Sequence, residues 1–304
     1  MPNKIKSQKA HRSAIGSFEK EQTAPFFLYQ VKEFNNTGQL ILETEYKMNG
    51  LKEMEVTYEY DPRMHMLSKQ TYYPLEETLE KLVYVYDSEG RKLKEENYFG
   101  DDLFETLHYS YDEKGNIIDQ VRTDDEGFEI EKQVSEFDDK NRIVKQTYFT
   151  NGDNDRTIEY IYDEAGLCIK EIHHYPDKGT TETVENSYNE LGKRTTSITK
   201  DEDNEVIGYL EIEYDEKMNP VRYINETSGF YNSKTINQLE YDEESRITDN
   251  EYFDVMNNFL MSKDSYMYDE NGNVAQHEIF ETNPMAGLKK THYRLKMEYD
   301  FYGE

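Results

Sequence analysis

Hydrophobic and polar residues alternate along most of this chain, and a short turn sequence interrupts the alternation at regular intervals. Two residues before the interruptions stand Tyr58, Tyr109 and Tyr160, and four before them stand residues such as Val56 and Ile158. Alternation of this kind is typical of strands with one buried face. The pattern predicts an antiparallel meander of hairpins.

Each interruption begins with an aromatic residue, called an anchor below, that is followed by Asp or Asn. Neighbouring anchors are separated by 26, 26, 25, 26, 25, 26, 26, 27, 27 and 31 residues. A fixed period in this range marks repeated supersecondary units. The sequence 283–287, Asn-Pro-Met-Ala-Gly, explains the long last step as a loop insertion. The anchors are Phe34, Tyr60, Tyr86, Tyr111, Phe137, Tyr162, Tyr188, Tyr214, Tyr241, Tyr268 and Tyr299.

The residues after each anchor have the chemistry of a tight turn. An Asp or Asn side chain accepts hydrogen bonds from backbone about two residues on, and a Gly four residues after the anchor supplies a positive φ. Where this Gly is missing, Asn141 and Asn219 lie at or next to its place, and Ser245 takes it in another unit. We therefore expect an all-β fold, in which an array of about ten hairpin units forms a coiled, twisted sheet or an open solenoid.

The composition offers little material for a conventional core. Only 35% of the 304 residues are hydrophobic and tryptophan is absent, but there are 27 tyrosines and 14 phenylalanines. A tyrosine ring buries like an apolar group while its hydroxyl reaches water or a partner. We expect one repeat domain over residues 26–304, with a ladder of stacked rings as its core.

The net charge of −29, from 64 acidic and 35 basic residues, excludes several partners. Nucleic acids and anionic membranes repel such a chain. A basic protein partner is the complement that the charge favours. The alternative is that acidic loops keep a long β surface soluble and deter pairing between sheet edges. The sequence does not indicate the oligomeric state.

Residues 1–25 lie outside the period and carry a net charge of +3, from five basic and two acidic side chains. One interpretation is a disordered lead-in. The other is a docking peptide that a partner recognises or that folds back onto the acidic body. The candidate docking residues are Lys4, Lys6, Lys9 and Arg12.

No motif for catalysis, cofactor binding or metal binding is present. His173 and His174 are neighbours on a predicted strand and point to opposite faces, so they cannot chelate one ion together. The acidic turns lack the spacing of a calcium loop. Cys168 fits a small buried position better than a nucleophile. We expect a protein that is not an enzyme and needs no cofactor or metal.

The repeated phrase resembles the YD repeats of the Rhs (rearrangement hot spot) and teneurin-like proteins. The best copies are Tyr86-Asp87-Ser88-Glu89-Gly90-Arg91, Tyr111-Asp112-Glu113-Lys114-Gly115-Asn116 and Tyr268-Asp269-Glu270-Asn271-Gly272-Asn273. The resemblance implies a long β-hairpin strip, which in large relatives coils into a shell around a toxic domain. It also implies a role in a bacterial toxin or secretion system, as immunity factor, chaperone or injected cargo. The Asp-Pro-x-Gly block that ends such shells is absent.

The preferred hypothesis is a non-catalytic scaffold that presents a curved, acidic, tyrosine-rich surface to a protein partner. A carbohydrate- or cell-surface-binding module is the first alternative, because exposed tyrosines stack on sugar rings. An enzyme with an unrecognised carboxylate site is the second. The N-terminus lacks the apolar segment of a secretory signal and no apolar run reaches the length of a membrane helix, so we expect a cytoplasmic protein, with non-classical export left open.

Overall fold

The computed structural model describes residues 4–14, 24–229, 232–283 and 289–303. The regular secondary structure within these ranges consists of β-strands, which confirms the all-β class. The strands are β1 (Ile5–Ala14), β2 (Phe27–Phe34), β3 (Leu40–Tyr46), β4 (Lys52–Tyr60), β5 (Met66–Tyr73), β6 (Thr78–Tyr86), β7 (Lys92–Phe99), β8 (Asp102–Tyr111), β9 (Ile117–Asp124), β10 (Glu129–Phe137), β11 (Ile143–Thr150), β12 (Asp153–Tyr162), β13 (Cys168–Tyr175), β14 (Thr180–Tyr188), β15 (Arg194–Lys200), β16 (Val206–Tyr214), β17 (Pro220–Thr227), β18 (Ser233–Tyr241), β19 (Ile247–Asp254), β20 (Phe259–Tyr268), β21 (Val274–Asn283) and β22 (Lys289–Phe301).

The anchors mark the same place in every hairpin. Ten of them are the last residue of an even-numbered strand, and Tyr299 lies two residues before the end of β22. The next strand begins six residues after each of those ten anchors, as Ile117 does after Tyr111. These two residues form the last pair of the β8–β9 ladder, and the register shifts by one beside them. Each sequence period therefore corresponds to two antiparallel strands, which form one hairpin.

The turn after each anchor has the predicted geometry. The Asp112 backbone N–H donates a hydrogen bond to the Asn116 carbonyl, and the Asp112 carbonyl accepts one from the backbone N–H of Gly115. The φ angle of Gly115 is +87°. The position four residues after the anchor has positive φ also where Gly is missing. Asn141 (φ 68°) and Ser245 (φ 63°) hold it, as expected, and Met218 and Met64 hold it at φ 64° and 72°. Asn219 is thus next to this position.

The chain forms two compact units. Unit 1 contains Met1–Glu80, Tyr214–Arg222 and Thr235–Glu304, and unit 2 contains Lys81–Glu213 and Tyr223–Lys234. Buried hydrophobic residues are few in the described parts of both units. In the described residues of unit 1 they are Ala10, Val56, Phe280 and Leu295, and in those of unit 2 they are Ile158 and Ile212. Cross-strand hydrogen bonds and half-buried tyrosines must therefore supply much of the stability that a larger apolar core would provide.

The expected coiled sheet or open solenoid is wrong, because the sheet is closed. All 22 strands belong to a single sheet, and β1 pairs antiparallel with β2 along one edge and with β22 along the other. The Tyr302 N–H also donates to the Lys4 carbonyl at 2.8 Å, and the Tyr302 hydroxyl donates to the Phe34 carbonyl at 2.6 Å. Closure satisfies backbone groups that a free sheet edge would expose to pairing with other chains.

The expected disordered lead-in over residues 1–25 fails for Ile5–Ala14, which form β1. No sequence pattern predicts this strand, because β1 has no anchor, no turn phrase and little apolar character. It is ordered by long-range pairing on both sides rather than by its own pattern. Residues 1–3 and 15–23 of the expected tail, and residues 284–288 of the predicted loop insertion, lie outside the described residues.

Candidate functional site

The anchor tyrosines form a repeated hydrogen bond to the preceding unit. The anchor hydroxyl donates to the carbonyl of the first residue of the strand that follows the previous anchor, at distances of 2.6 to 2.9 Å. All eleven anchors are half-buried. The bonds run from Tyr60 to Leu40, Tyr111 to Lys92, Tyr162 to Ile143, Tyr188 to Cys168, Tyr241 to Pro220, Tyr268 to Ile247 and Tyr299 to Val274.

Arginine strengthens the turn in three units. The Arg142 Nε donates to Asp138 Oδ2 at 2.8 Å, and its guanidinium lies 4.4 Å from the centre of the Tyr162 ring. The backbone and side-chain hydrogen bonds from Arg142 lower the pKa of Asp138 against the effect of desolvation. Arg91 and Arg246 make the equivalent contacts in their own units. The turn aspartates are therefore occupied by their own loops, which gives them a structural role.

A second row of tyrosines lies two residues before the anchors. The Tyr160 hydroxyl donates to Gln146 Oε1 at 2.6 Å, and the Tyr109 hydroxyl donates to Glu95 Oε1 at 2.6 Å. Burial raises the pKa of Tyr160 to about 12. Desolvation would raise the pKa of Glu95, but hydrogen bonds from Lys92 and Tyr109 lower it. The hydroxyls of these two tyrosines therefore also form hydrogen bonds within the sheet.

Exposed tyrosine is consequently scarce. Tyr72, at 40% exposure, is the one tyrosine among the large hydrophobic side chains that are exposed in the described ranges. A carbohydrate-binding module would use ranks of such exposed rings. The observation that would favour that alternative is therefore missing from the described part of the chain.

The candidate docking residues of the N-terminus lie on or beside β1. The Lys4 Nζ donates to the Asn36 carbonyl at 3.1 Å, and Lys9 Nζ lies 3.8 Å from Asp300 Oδ2. The Arg12 guanidinium lies 3.9 Å from the centre of the Tyr293 ring and 5.2 Å from that of Tyr29. Lys6 is exposed. The structure therefore gives three of the four predicted residues contacts within the protein itself.

Three exposed phenylalanines in unit 2 were not identified from the sequence. Phe99 ends β7, Phe104 is the extra residue of a bulge in β8, and Phe128 lies in the turn before β10. They are 58%, 65% and 64% exposed, respectively. The available signal was that all three are aromatic residues away from the anchor positions, flanked by acidic residues. We call them the phenylalanine tips.

The phenylalanine tips lie within a strongly acidic segment. Residues 99–106 and 123–131 contain eight Asp and Glu and neither Lys nor Arg. Strand pairing brings the two segments together, because Glu105 of β8 is the register partner of Asp124 of β9. The eight acidic residues are Asp101, Asp102, Glu105, Asp124, Asp125, Glu126, Glu129 and Glu131.

Arg122 holds the two acidic hairpins in register. Its Nη1 donates to Glu105 Oε1 at 2.6 Å on β8, and its Nε donates to Glu131 Oε2 at 2.9 Å on β10. Beside it is an open cleft of about 370 Å³, which is also lined by Tyr148 and Asp155. Bridging of two carboxylates by one guanidinium fixes both strands. Asp124 accepts backbone hydrogen bonds within its own turn, and the other five acidic residues are exposed to solvent.

His173, His174 and Cys168 have separate surroundings within the sheet. His173 contacts Glu171 at 3.1 Å and His174 contacts Thr181 at 3.1 Å, so the two rings have separate partners. Burial raises the pKa of the Cys168 thiol, which keeps it protonated near neutral pH. In the described residues no group of three or more His, Cys, Asp or Glu is placed to hold a metal ion.

No helix in the described ranges is long and apolar enough to cross a membrane. No protein-family model and no curated protein sequence matches the chain.

Several solved structures are weakly similar. The crystal structure of TcdB2-TccC3-Cdc42 matches 87% of this chain with a TM-score of 0.43 and 16% identity, and this chain covers 15% of that chain's length. TcdB2-TccC3 without its hypervariable C-terminal region gives the same values. A porin-like protein from Bacteroides uniformis ATCC 8492 matches 98% of this chain and 99% of its own, with a TM-score of 0.36 and 10% identity. Similarity at this level does not identify a class of protein.

Proposed function

We propose that this protein is a non-catalytic binding protein that holds a basic protein partner on the phenylalanine tips and the acidic residues around them. One observation carries the proposal: Phe99, Phe104 and Phe128 are each more than half exposed on two adjoining acidic hairpins of unit 2. Exposed aromatic side chains grouped within a polar rim are a feature of protein-interaction sites.

The phenylalanines and the acidic residues of this site contribute to binding in different ways. The three aromatic rings supply the apolar area that dominates interface energetics when it is buried by a partner. The eight acidic residues accelerate encounter with a basic surface and select against acidic ones. The bridge from Arg122 to Glu105 and Glu131 holds the hairpins before a partner arrives, which lowers the entropy cost of binding.

The setting of this function is also part of the proposal. The YD-like turns support a role in a bacterial toxin or secretion system, as immunity factor, chaperone or injected cargo. A cytoplasmic location belongs to the same proposal. The lone, protonated Cys168 is compatible with a reducing compartment.

A comparative capture experiment tests the binding site. The full-length protein and the triple variant Phe99→Ser/Phe104→Ser/Phe128→Ser are used as baits at low salt, and bound proteins are identified by mass spectrometry. A matched control replaces three exposed apolar residues of unit 1, Met48, Leu51 and Leu75, with serine.

The expected result is a basic protein that the wild type and the control retain and that the phenylalanine variant loses. The complex should weaken steeply with added salt, because exposed charges are screened beyond about 10 Å at 0.1 M. Equal capture by all three baits, or no specific protein on any of them, would contradict the proposal.

A further inference from the structure

Strand β1 occupies a groove in unit 1 whose two walls are β2 and β22. Its register runs from Ser7↔Glu33 to Arg12↔Phe27 against β2, and from Ile5↔Phe301 to Ala14↔Tyr293 against β22. Without β1, both walls would present rows of unpaired backbone donors and acceptors. Such a pair of edges is a ready-made acceptor for one extended peptide.

The groove selects small side chains at two positions. Ala10 is 2% exposed and Ser13 is 1% exposed, which makes Ser13 the most buried side chain in the described ranges. The Ser13 hydroxyl donates to the Ala24 carbonyl. A larger or charged side chain at either position would have to displace a wall of the groove or be buried without a partner.

The groove also selects positive charge. The Arg12 guanidinium is held between the rings of Tyr29 and Tyr293, which is a favourable environment for a planar cation. Lys9 Nζ lies 3.8 Å from Asp300 Oδ2. The walls therefore match β1 in backbone pairing, in side-chain size and in charge.

We propose that the groove between β2 and β22 is a binding site for a basic, extended peptide segment of a protein partner, and that β1 is the occupant that the chain itself supplies. A partner segment with arginine at the place of Arg12 and small residues at those of Ala10 and Ser13 replaces β1. The cis strand competes at the high effective concentration that its covalent connection provides. Because β1 competes for the groove, only peptides with high affinity for it can displace β1. This proposal is independent of the phenylalanine tips.

The test uses a fluorescently labelled synthetic peptide with the sequence of Lys4–Ala14 and the full-length protein, with binding measured by fluorescence anisotropy. The variant Ala10→Glu weakens β1 in cis, and Ala14→Glu, at an exposed position of the same strand, is its matched control. A scrambled peptide of the same composition and a peptide with Arg12→Ala report specificity.

The Ala10→Glu protein should bind the Lys4–Ala14 peptide about a hundredfold more tightly than the wild type or the Ala14→Glu control does. The Arg12→Ala peptide should bind about tenfold more weakly. Equal binding of the scrambled peptide, or no gain by an Ala10→Glu protein that melts cooperatively, would overturn the proposal. If Ala10→Glu does not fold, the full-length Arg12→Ala variant replaces it, with a gain of about tenfold expected and no gain counting against the site.

Discussion

Strands β1 and β12 show two ways in which this chain orders a strand. β12 lies inside the period, ends in an anchor, and pairs with β11 and β13, its neighbours in sequence. β1 lies outside the period, has no anchor, and pairs on one side with β22, nearly the whole chain away. Yet β1 contains the two least exposed side chains of the described ranges, Ala10 and Ser13, whereas the one buried residue of β12 is Ile158, which is 5% exposed.

The difference shows that residues close in sequence specify the repeated hairpins, whereas residues far apart in sequence specify the closure of the sheet by β1. Each repeat unit carries its own turn, its own anchor hydroxyl and its own cross-strand partners, so it needs few distant residues. β1 acquires its order only from two walls that already exist. Contacts of large sequence separation cost more chain entropy to form, and here they are concentrated in one strand.

The largest effect is expected from a charge in the closing strand. Ala10→Glu should lower the free energy of unfolding by about 3 kcal/mol, because the carboxylate is buried at a site with no room and no cation held for it. Thermal and urea unfolding of the full-length protein would measure this. Ala14→Glu, in the same strand but exposed, should change stability little. Equal effects of the two substitutions would mean that β1 is not packed as described.

A smaller effect is expected from the anchor hydroxyls of the repeat. Tyr162→Phe removes the donor to the Ile143 carbonyl and should cost about 1 kcal/mol. Phe137→Tyr is the reciprocal change, because it adds a hydroxyl where the preceding unit offers the Ile117 carbonyl, and it should stabilise by a similar amount or less. Urea unfolding of both variants measures the pair. Changes of the same sign would show that the hydroxyl bond is not what the anchor contributes.

The smallest effect is expected from the turn carboxylates, and it should appear in acid. Hydrogen bonds from Asn116 and Lys114 lower the pKa of Asp112 in the folded protein. Its contribution is therefore present above the unfolded pKa of about 4 and is lost as the pH falls through the lower, folded value. Asp112→Asn keeps the Oδ1 acceptor, as Asn189 does in its own unit. It should be nearly neutral at pH 7 and should melt with a shallower decline below pH 4, which calorimetry can follow.

The repeat could be predicted from the sequence because its signals are local. The anchors, the Asx turns and the positive-φ position all follow from short-range chemistry, and the structure has them where the pattern indicated. The positive φ of Met64 could not be predicted, because a methionine side chain does not favour the left-handed backbone conformation. The phenylalanine tips were not predicted, because the exposure of Phe104 depends on a β-bulge that the alternation of polar and apolar residues does not reveal.

Closure could not be predicted, because no property of residues 5–14 read alone distinguishes a polar tail from a polar strand. The information resides in the edges of β2 and β22, which are complementary to β1 only once both are folded. The sequence left open whether Lys9 and Arg12 meet a partner or the acidic body of the chain, and the structure places Asp300 beside Lys9 and Tyr293 beside Arg12.

The position of β1 has a consequence for biosynthesis. The ribosome makes β1 and then β2 before the other strands, but it makes β22, the other wall of the groove, after all of them. For most of translation β1 therefore has at most one neighbour, while hairpin after hairpin can form behind it. Strand β1 is therefore made before the other strands but gains its second wall only after all of them have been synthesised.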